Sequence, residues 1–412
     1  MVLPFQPADI LLPRAADMSR WSVVACDQYT SEPQYWREVE RYVGAAKSTL
    51  RLILPEVYLE EPGAQDRVAA VNSAMQAYLS QGVFEERQNT YVYLERRLRG
   101  GGVRRGVVGA LDLERYDYRK GARSDVRATE ETVLSRIPPR VDIRRNAPLE
   151  LPHIMVLIDD PGRTVIEPLS PKKAALEQAY GFELMQNSGA VEGFFLDAEA
   201  AAGMEAALAA LARGQTASED GFLFAVGDGN HSLASAKQCY EDLKLAVGRE
   251  AAERRPARYA LVEMVNLHDD TLRFEAIHRV LFGVDPEHLL AELAKAYRLG
   301  DGPRCQRFTA LYGRTRKTIS LADPPDHLAV ASLQRFIDSY VERFGGRVDY
   351  VHGDGAAAGL AAQPDTLAFL LPAMEKRELF PAVAADGALP RKTFSMGHAW
   401  DKRFYLEGRK IQ

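Results

Sequence analysis

Asp228, Asn230, His231 and Ser232 sit together at a glycine turn, Gly227-Asp228-Gly229-Asn230-His231-Ser232, and their types point to phosphate or proton chemistry. A carboxylate such as Asp228 can accept a proton or hold a divalent cation, which prefers oxygen ligands. His231 can donate to a phosphate or shuttle a proton near neutral pH. Asn230 and Ser232 offer hydrogen bonds to phosphate oxygens, or cap a helix. Gly227 and Gly229 let the backbone turn sharply and approach a ligand without Cβ interference.

The flanking sequence says what must position these groups. Residues 222–226, Phe-Leu-Phe-Ala-Val, are an apolar run suited to a strand covered on both faces. From Leu233 onward the apolar positions Ala236, Tyr240, Leu243 and Val247 follow helical spacing. A strand, a glycine turn and a helix therefore meet here. The first N–H groups of that helix and the positive end of its dipole face the turn and favour an anion. The Gly-x-Gly-x-x-Ser spacing half-matches a dinucleotide fingerprint, but the third glycine is missing and the next strand begins only near Tyr259. The chain contains no GxxxxGK[ST], GxSxG, HExxH or protein-kinase signature.

The rest of the chain reads as alternating strands and helices. Strands are expected at residues 21–25, 48–54, 153–158, 259–265, 272–277, 348–351 and 367–371. Helices are expected at 33–43, 66–81, 196–212 and from near Ser332 to Phe344. Segments 90–98 and 103–113 alternate about Gly100-Gly101-Gly102 and predict a β-hairpin. Residues 126–136 read as a capped helix with Thr129 at its start, leading into a basic patch at Arg140, Arg144 and Arg145. That segment is either a solvated helix or one that projects Arg127 and a glutamate, Glu130 or Glu131, into a site. A second Gly-Asp-Gly at 353–355 follows a strand but lacks the Asn-His-Ser, and reads as a packing turn.

Composition narrows the classes. The chain has 412 residues, 46% hydrophobic and 26% charged, as expected of a globular protein with two domains or one elaborated domain. A net charge of −5, from 52 basic and 57 acidic residues, gives no electrostatic case for nucleic acid or an anionic membrane. No apolar run is long enough to span a bilayer. The N-terminal residues do not read as a secretory signal. Cys26, Cys239 and Cys305 are scattered without metal spacing, so free thiols in a reducing cytoplasm are expected.

In order and spacing, the motifs resemble the domain-of-unknown-function 1015 family. The likeness runs through the Asp27 segment, Leu50-Arg-Leu-Ile-Leu-Pro-Glu56, Arg127-Ala-Thr-Glu-Glu-Thr132 and Asp228-Gly-Asn-His231. It continues through His278-Arg279, Tyr350-Val-His352 and Ala368-Phe-Leu-Leu-Pro372. The resemblance implies a mixed α/β fold with a ParB/sulfiredoxin-like core, shared by kinases of free serine, with large elaborations and a smaller C-terminal portion. It implies a nucleotide- or phosphate-binding region over residues 1–284 and a C-terminal α/β portion over 285–412. It also implies a phosphotransferase acting on a small polar metabolite such as an amino acid, with ATP or ADP and Mg²⁺. In that reading Asp27, Glu131 and His231 are catalytic. Gly227, Asp228, Gly229, Asn230, Ser232, Arg127, His278 and Arg279 bind phosphate or nucleotide, and Asp228 is the candidate metal ligand. The alternatives are a non-catalytic sensor of a nucleotide or phosphometabolite and a nicotinamide oxidoreductase. The family pattern Asp-Gly-His-His-Arg becomes Asp-Gly-Asn-His-Ser here, so an arginine that would grip phosphate through two hydrogen bonds is replaced by Ser232.

Overall fold

The computed structural model describes residues 2–59, 61–119, 121–132, 137–217 and 220–412. They form a mixed α/β protein whose chain divides into two compact units. The first comprises Met1–Ala128, Thr132–Leu272 and His398–Gln412; the second comprises Thr129–Glu131 and Arg273–Gly397. The division thus falls after Leu272 and returns the C-terminal tail to the first unit, against an expected boundary at 284/285.

A large mixed sheet organises the first unit. Its order is Glu177–Glu183, Ala190–Phe195, Val92–Arg97, Val103–Asp112, Tyr259–Asn266, Met155–Ile158, Phe224–Asp228, Val126–Ala128 and Tyr116–Asp117. The expected hairpin about the glycine triplet is present, pairing Val92 with Val108 through Arg97 with Val103. Phe224, Ala225 and Val226 have no exposed surface, as their apolar run predicted. One face is packed by the helix Ala198–Gln215, which buries Ala200, Met204, Leu208 and Ala212 at four-residue spacing. Asp197 caps that helix by accepting from the Ala200 amide at 2.8 Å. Each fully buried leucine such as Leu208 contributes about 1.5–3 kcal/mol. Trp36, Val39 and Val43 of the helix Pro33–Val43 belong to the core on the other face.

Three expectations are corrected. Residues 21–25, read as a strand, hold the end of the helix Met18–Trp21 and an isolated bridge from Val24 to Phe404. Residues 48–54, read as a strand, contain a short 3₁₀ turn, Thr49–Leu52. The Ser48 hydroxyl accepts from the Leu50 amide at 3.2 Å, and Thr49 Oγ1 donates to the Trp21 carbonyl at 2.8 Å. Such side-chain bonds compete with a strand ladder. Residues 126–136, read as a helix, open instead with the strand Val126–Ala128, parallel to Phe224–Val226. Residues 133–136 of that segment lie outside the described residues, and a helix follows at Ile137–Arg145.

The tail His398–Gln412 is tied into the first unit by buried charge. Arg403 bonds both Glu263 and Glu407, the latter at 2.5 Å, and Tyr180 donates to Glu407 at 2.5 Å. Gly106 makes room for this network, since a Cβ there would collide with the Glu263 carboxylate. Arg409 donates to Glu150 at 2.8 Å, and the strand Arg409–Lys410 pairs with Leu149–Glu150.

The second unit carries an antiparallel sheet in the order Thr315–Leu321, Gln306–Tyr312, Thr366–Leu370, Phe274–Phe282 and Arg347–His352. Val280, Leu311, Ala368 and Leu370 share a core with Ala357 and Ala361 of the helix Asp354–Ala361. Among the described residues, no helix is long and apolar enough to cross a membrane.

Candidate functional site

The strand Phe224–Asp228 ends at the glycine turn, and the helix Asn230–Val247 starts directly after it. Gly229 occupies the left-handed region at φ 74° and, as the N-cap residue, brings no side chain to the helix start. A Cβ on Gly229 would come within 3.0 Å of Ile154 Cα, so the position admits glycine on both conformational and steric grounds. Gly229→Ala is expected to cost about 1–2 kcal/mol from the left-handed backbone alone, with the crowding adding to it. Gly100→Ala, facing open space, is its control in urea unfolding.

At this helix start, side chains from four distant segments converge. Asp228 accepts from the Gly229 amide at 3.0 Å and pairs with Lys402 at 3.1 Å. Ser232 Oγ lies 3.1 Å from Nε2 of His153, and the same nitrogen is 3.7 Å from Asp27 Oδ2. His153 Nδ1 is 2.7 Å from the Tyr405 hydroxyl, which also accepts from the Cys26 amide at 3.3 Å. Beside them, Arg140 pairs with Glu56.

The electrostatics assign states to several groups. Burial pushes the Tyr405 hydroxyl well above the usual phenol range, so it keeps its proton. With the imidazole of His153 in its neutral form, that proton reaches Nδ1 at 2.7 Å and the ring hydrogen lies on Nε2, towards Ser232 and Asp27. Ser232 then accepts from His153 and has no base on that nitrogen, so a serine-nucleophile reading fails on geometry. Burial alone would raise the Asp27 carboxyl. The neighbouring His153 ring, the Gln28 amide at 3.0 Å, Lys402 and Arg140 outweigh burial and hold it below the usual carboxylate range. Burial also pushes the Cys26 thiol up, with Asp27 and Glu56 adding to it, so no thiolate forms near neutral pH.

The expected site residues divide between the units. Asp27, Gly227, Asp228, Gly229, Asn230, His231 and Ser232 belong to the first unit and lie at or beside the turn. The Asn230 amide donates to the Val226 carbonyl at 3.3 Å, and the His231 carbonyl accepts from Ser235 at 2.8 Å. Arg127 belongs to the same unit, but its guanidinium lies 4.7 Å from the Phe222 ring and donates to the Ser124 carbonyl at 3.2 Å. Phe222 precedes the turn by five residues, about 16 Å along a strand, so Arg127 serves the other end.

Glu131, His278 and Arg279 belong to the second unit. The Glu131 amide donates to the Leu389 carbonyl at 2.9 Å. His278 bonds Asp354 at 2.9 Å and accepts from the Leu371 amide at 3.2 Å. Arg279 is fully buried and donates to Gln334 and to the carbonyls of Ile277, Arg391 and Lys392.

The donor set does not fit a divalent cation held by protein alone. Among the described residues no group of three or more His, Cys, Asp or Glu has metal-binding geometry, and Asp228 is already neutralised by Lys402.

A family profile described as "Protein of unknown function (DUF1015)" matches residues 2–340. The chain belongs to this family. Comparison with curated proteins gives no match for this DUF1015 protein. Among solved structures it is similar to a mutant free serine kinase in complex with ADP, at 9% identity and a TM-score of 0.40, covering 73% of this chain and 91% of that one. It is also similar to a conserved hypothetical protein from Pyrococcus furiosus, at 9% identity and a TM-score of 0.37, covering 74% and 94%. A C-terminally truncated SbnI from Staphylococcus aureus matches at 12% identity and a TM-score of 0.35, covering 73% and 82%.

The geometry of the DUF1015 protein adds His153, Lys402, Tyr405, Arg140 and Glu56 to the residues at the turn. His153 reads in the sequence as the start of a strand, and Lys402 and Tyr405 lie in a basic, aromatic tail without a motif. Arg140 lies in the basic patch visible in the sequence, and Glu56 closes one of the segments that carry the family resemblance.

Proposed function

We propose that this protein transfers a phosphoryl group from ATP or ADP to the hydroxyl of a small metabolite. One observation carries the reading: the Asp27 carboxylate, His153 and the Lys402–Asp228 pair gather at the N-terminus of the helix Asn230–Val247. Phosphoryl transfer depends chiefly on positioning and charge neutralisation. The helix N-terminus would supply positive potential for the phosphates, Lys402 would turn to them from its pairing with Asp228, and Asp27 would orient and deprotonate the acceptor hydroxyl. Any magnesium would arrive with the nucleotide, held by its phosphate oxygens and retained waters.

Ser232 in place of an arginine favours a second reading, a sensor that binds a nucleotide without turnover. Incubation with ATP or ADP and a pool of small hydroxyl compounds is expected to give a phosphorylated product. Saturable nucleotide binding without product would leave the sensor and end the transferase reading.

A further inference from the structure

A cavity of about 130 Å³ lies within the first unit, beside the ionic cluster. One end is polar and is formed by His153, Ser232 and Tyr405. Its walls are apolar, with Leu54, Met75, Ile143, Leu149 and Leu151 among them. Four charged side chains also border it, but Arg140 pairs with Glu56 and Arg144 with Glu150, so the lining carries no net charge. At roughly 10–15 Å³ per water-sized occupant, the space takes a body of about ten non-hydrogen atoms. An adenine nucleotide is far larger, so the cavity suits the acceptor and leaves the donor to the glycine turn before the helix.

We infer that the cavity is the acceptor pocket and selects a small alcohol with an apolar body and no net charge. Its hydroxyl would lie at the polar end, where the His153 nitrogen that meets Ser232 is also the one nearest Asp27. The fate of that hydroxyl rests on the proposed phosphoryl transfer; binding in the cavity does not. Burying each further methylene against such walls is worth about a fourfold gain in affinity. A free polar amino acid such as serine gains none of this.

The test titrates the full chain, without nucleotide, with 1-butanol, 1-pentanol, 1-hexanol, benzyl alcohol and L-serine, followed by ligand-observed NMR. Affinity is expected to rise about fourfold per methylene from butanol to hexanol. Benzyl alcohol should bind saturably and L-serine should not. Ala147→Phe and Met75→Trp each fill the cavity from a buried wall position. Whichever variant melts cooperatively should lose hexanol affinity at least tenfold. A flat alcohol series, L-serine binding as tightly as hexanol, or unchanged hexanol affinity in a folded filled variant would each overturn the assignment. The two readings fail separately. Alcohol binding with no phosphorylated product from any acceptor removes only the transferase, whereas turnover of polar acceptors without alcohol preference removes only the pocket.

Discussion

Arg403→Met is expected to lower the unfolding free energy by about 3–5 kcal/mol, the cost of leaving buried charge uncompensated. Burial alone would lower the pKa of this guanidinium, but the Glu407 and Glu263 carboxylates overcome that and hold it above the ordinary arginine range. Removing it leaves both carboxylates facing each other with exposures of 1% and 0%. Urea unfolding measures the loss. The triple variant Arg403→Met, Glu263→Gln, Glu407→Gln should recover much of it, because the cost lies in the stranded charges more than in the pair itself. A single-variant loss below ~1 kcal/mol would mean that water reaches the network, and the account of the tail's anchoring would fail.

Acid should act on the same anchor through Glu150. Burial raises its carboxyl, but Arg144 and Arg409 outweigh burial and hold it below the usual range. A depressed folded pKa stabilises the protein above the unfolded value of about 4.3. That stabilisation is lost as pH falls through the lower folded value. Docking of the tail, and with it the placement of Lys402 and Tyr405, should therefore survive mild acid and fail only below about pH 4.

The parts of the site that lie close in sequence were legible, and the parts brought together by the sheet were not. Residues 222–247 announce themselves because a buried apolar run, a glycine pair and a helical stripe are all local patterns. The hairpin about Gly100–Gly102 is legible for the same reason. Asp27 was found through its resemblance to a family motif, but its partner His153 comes from 126 residues away. Tyr405 reaches His153 across 252 residues, because buried arginines pin the tail and no motif marks it. Segments 48–54 and 126–136 were misread for one cause. Tertiary bonds decided them: the Thr49 hydroxyl on the Trp21 carbonyl in one, parallel pairing with Phe224–Val226 in the other. Intrinsic propensity is too weak to resist such partners. Arg127 was misplaced for a subtler reason. Parallel pairing put it opposite Ala225, near the turn in sequence register, while its long side chain reached back to Phe222.

Asp27→Asn is expected to lower kcat for the proposed phosphoryl transfer about 10²–10⁴-fold, the range for loss of a positioned acid–base group. KM for the nucleotide should change little, since the amide keeps the shape of the carboxylate and removes only its charge. His153 cannot take over. Neutral, it carries its proton on the nitrogen facing the site, because Tyr405 occupies the other. Lys402→Ala should give the opposite split, raising KM for the nucleotide more than it lowers kcat, because it withdraws positive charge from the phosphates and leaves Asp228 uncompensated. The pH profile adds an independent readout. Asp27 must be ionised to accept a proton, and its carboxyl sits below the usual range, so its acid limb should fall below about pH 3.9. With Lys402 removed, one of the charges that depress Asp27 is gone, and that limb should move to higher pH. A limb unmoved by Lys402→Ala would show that Lys402 and Asp27 do not share a site, whatever the effect on rate.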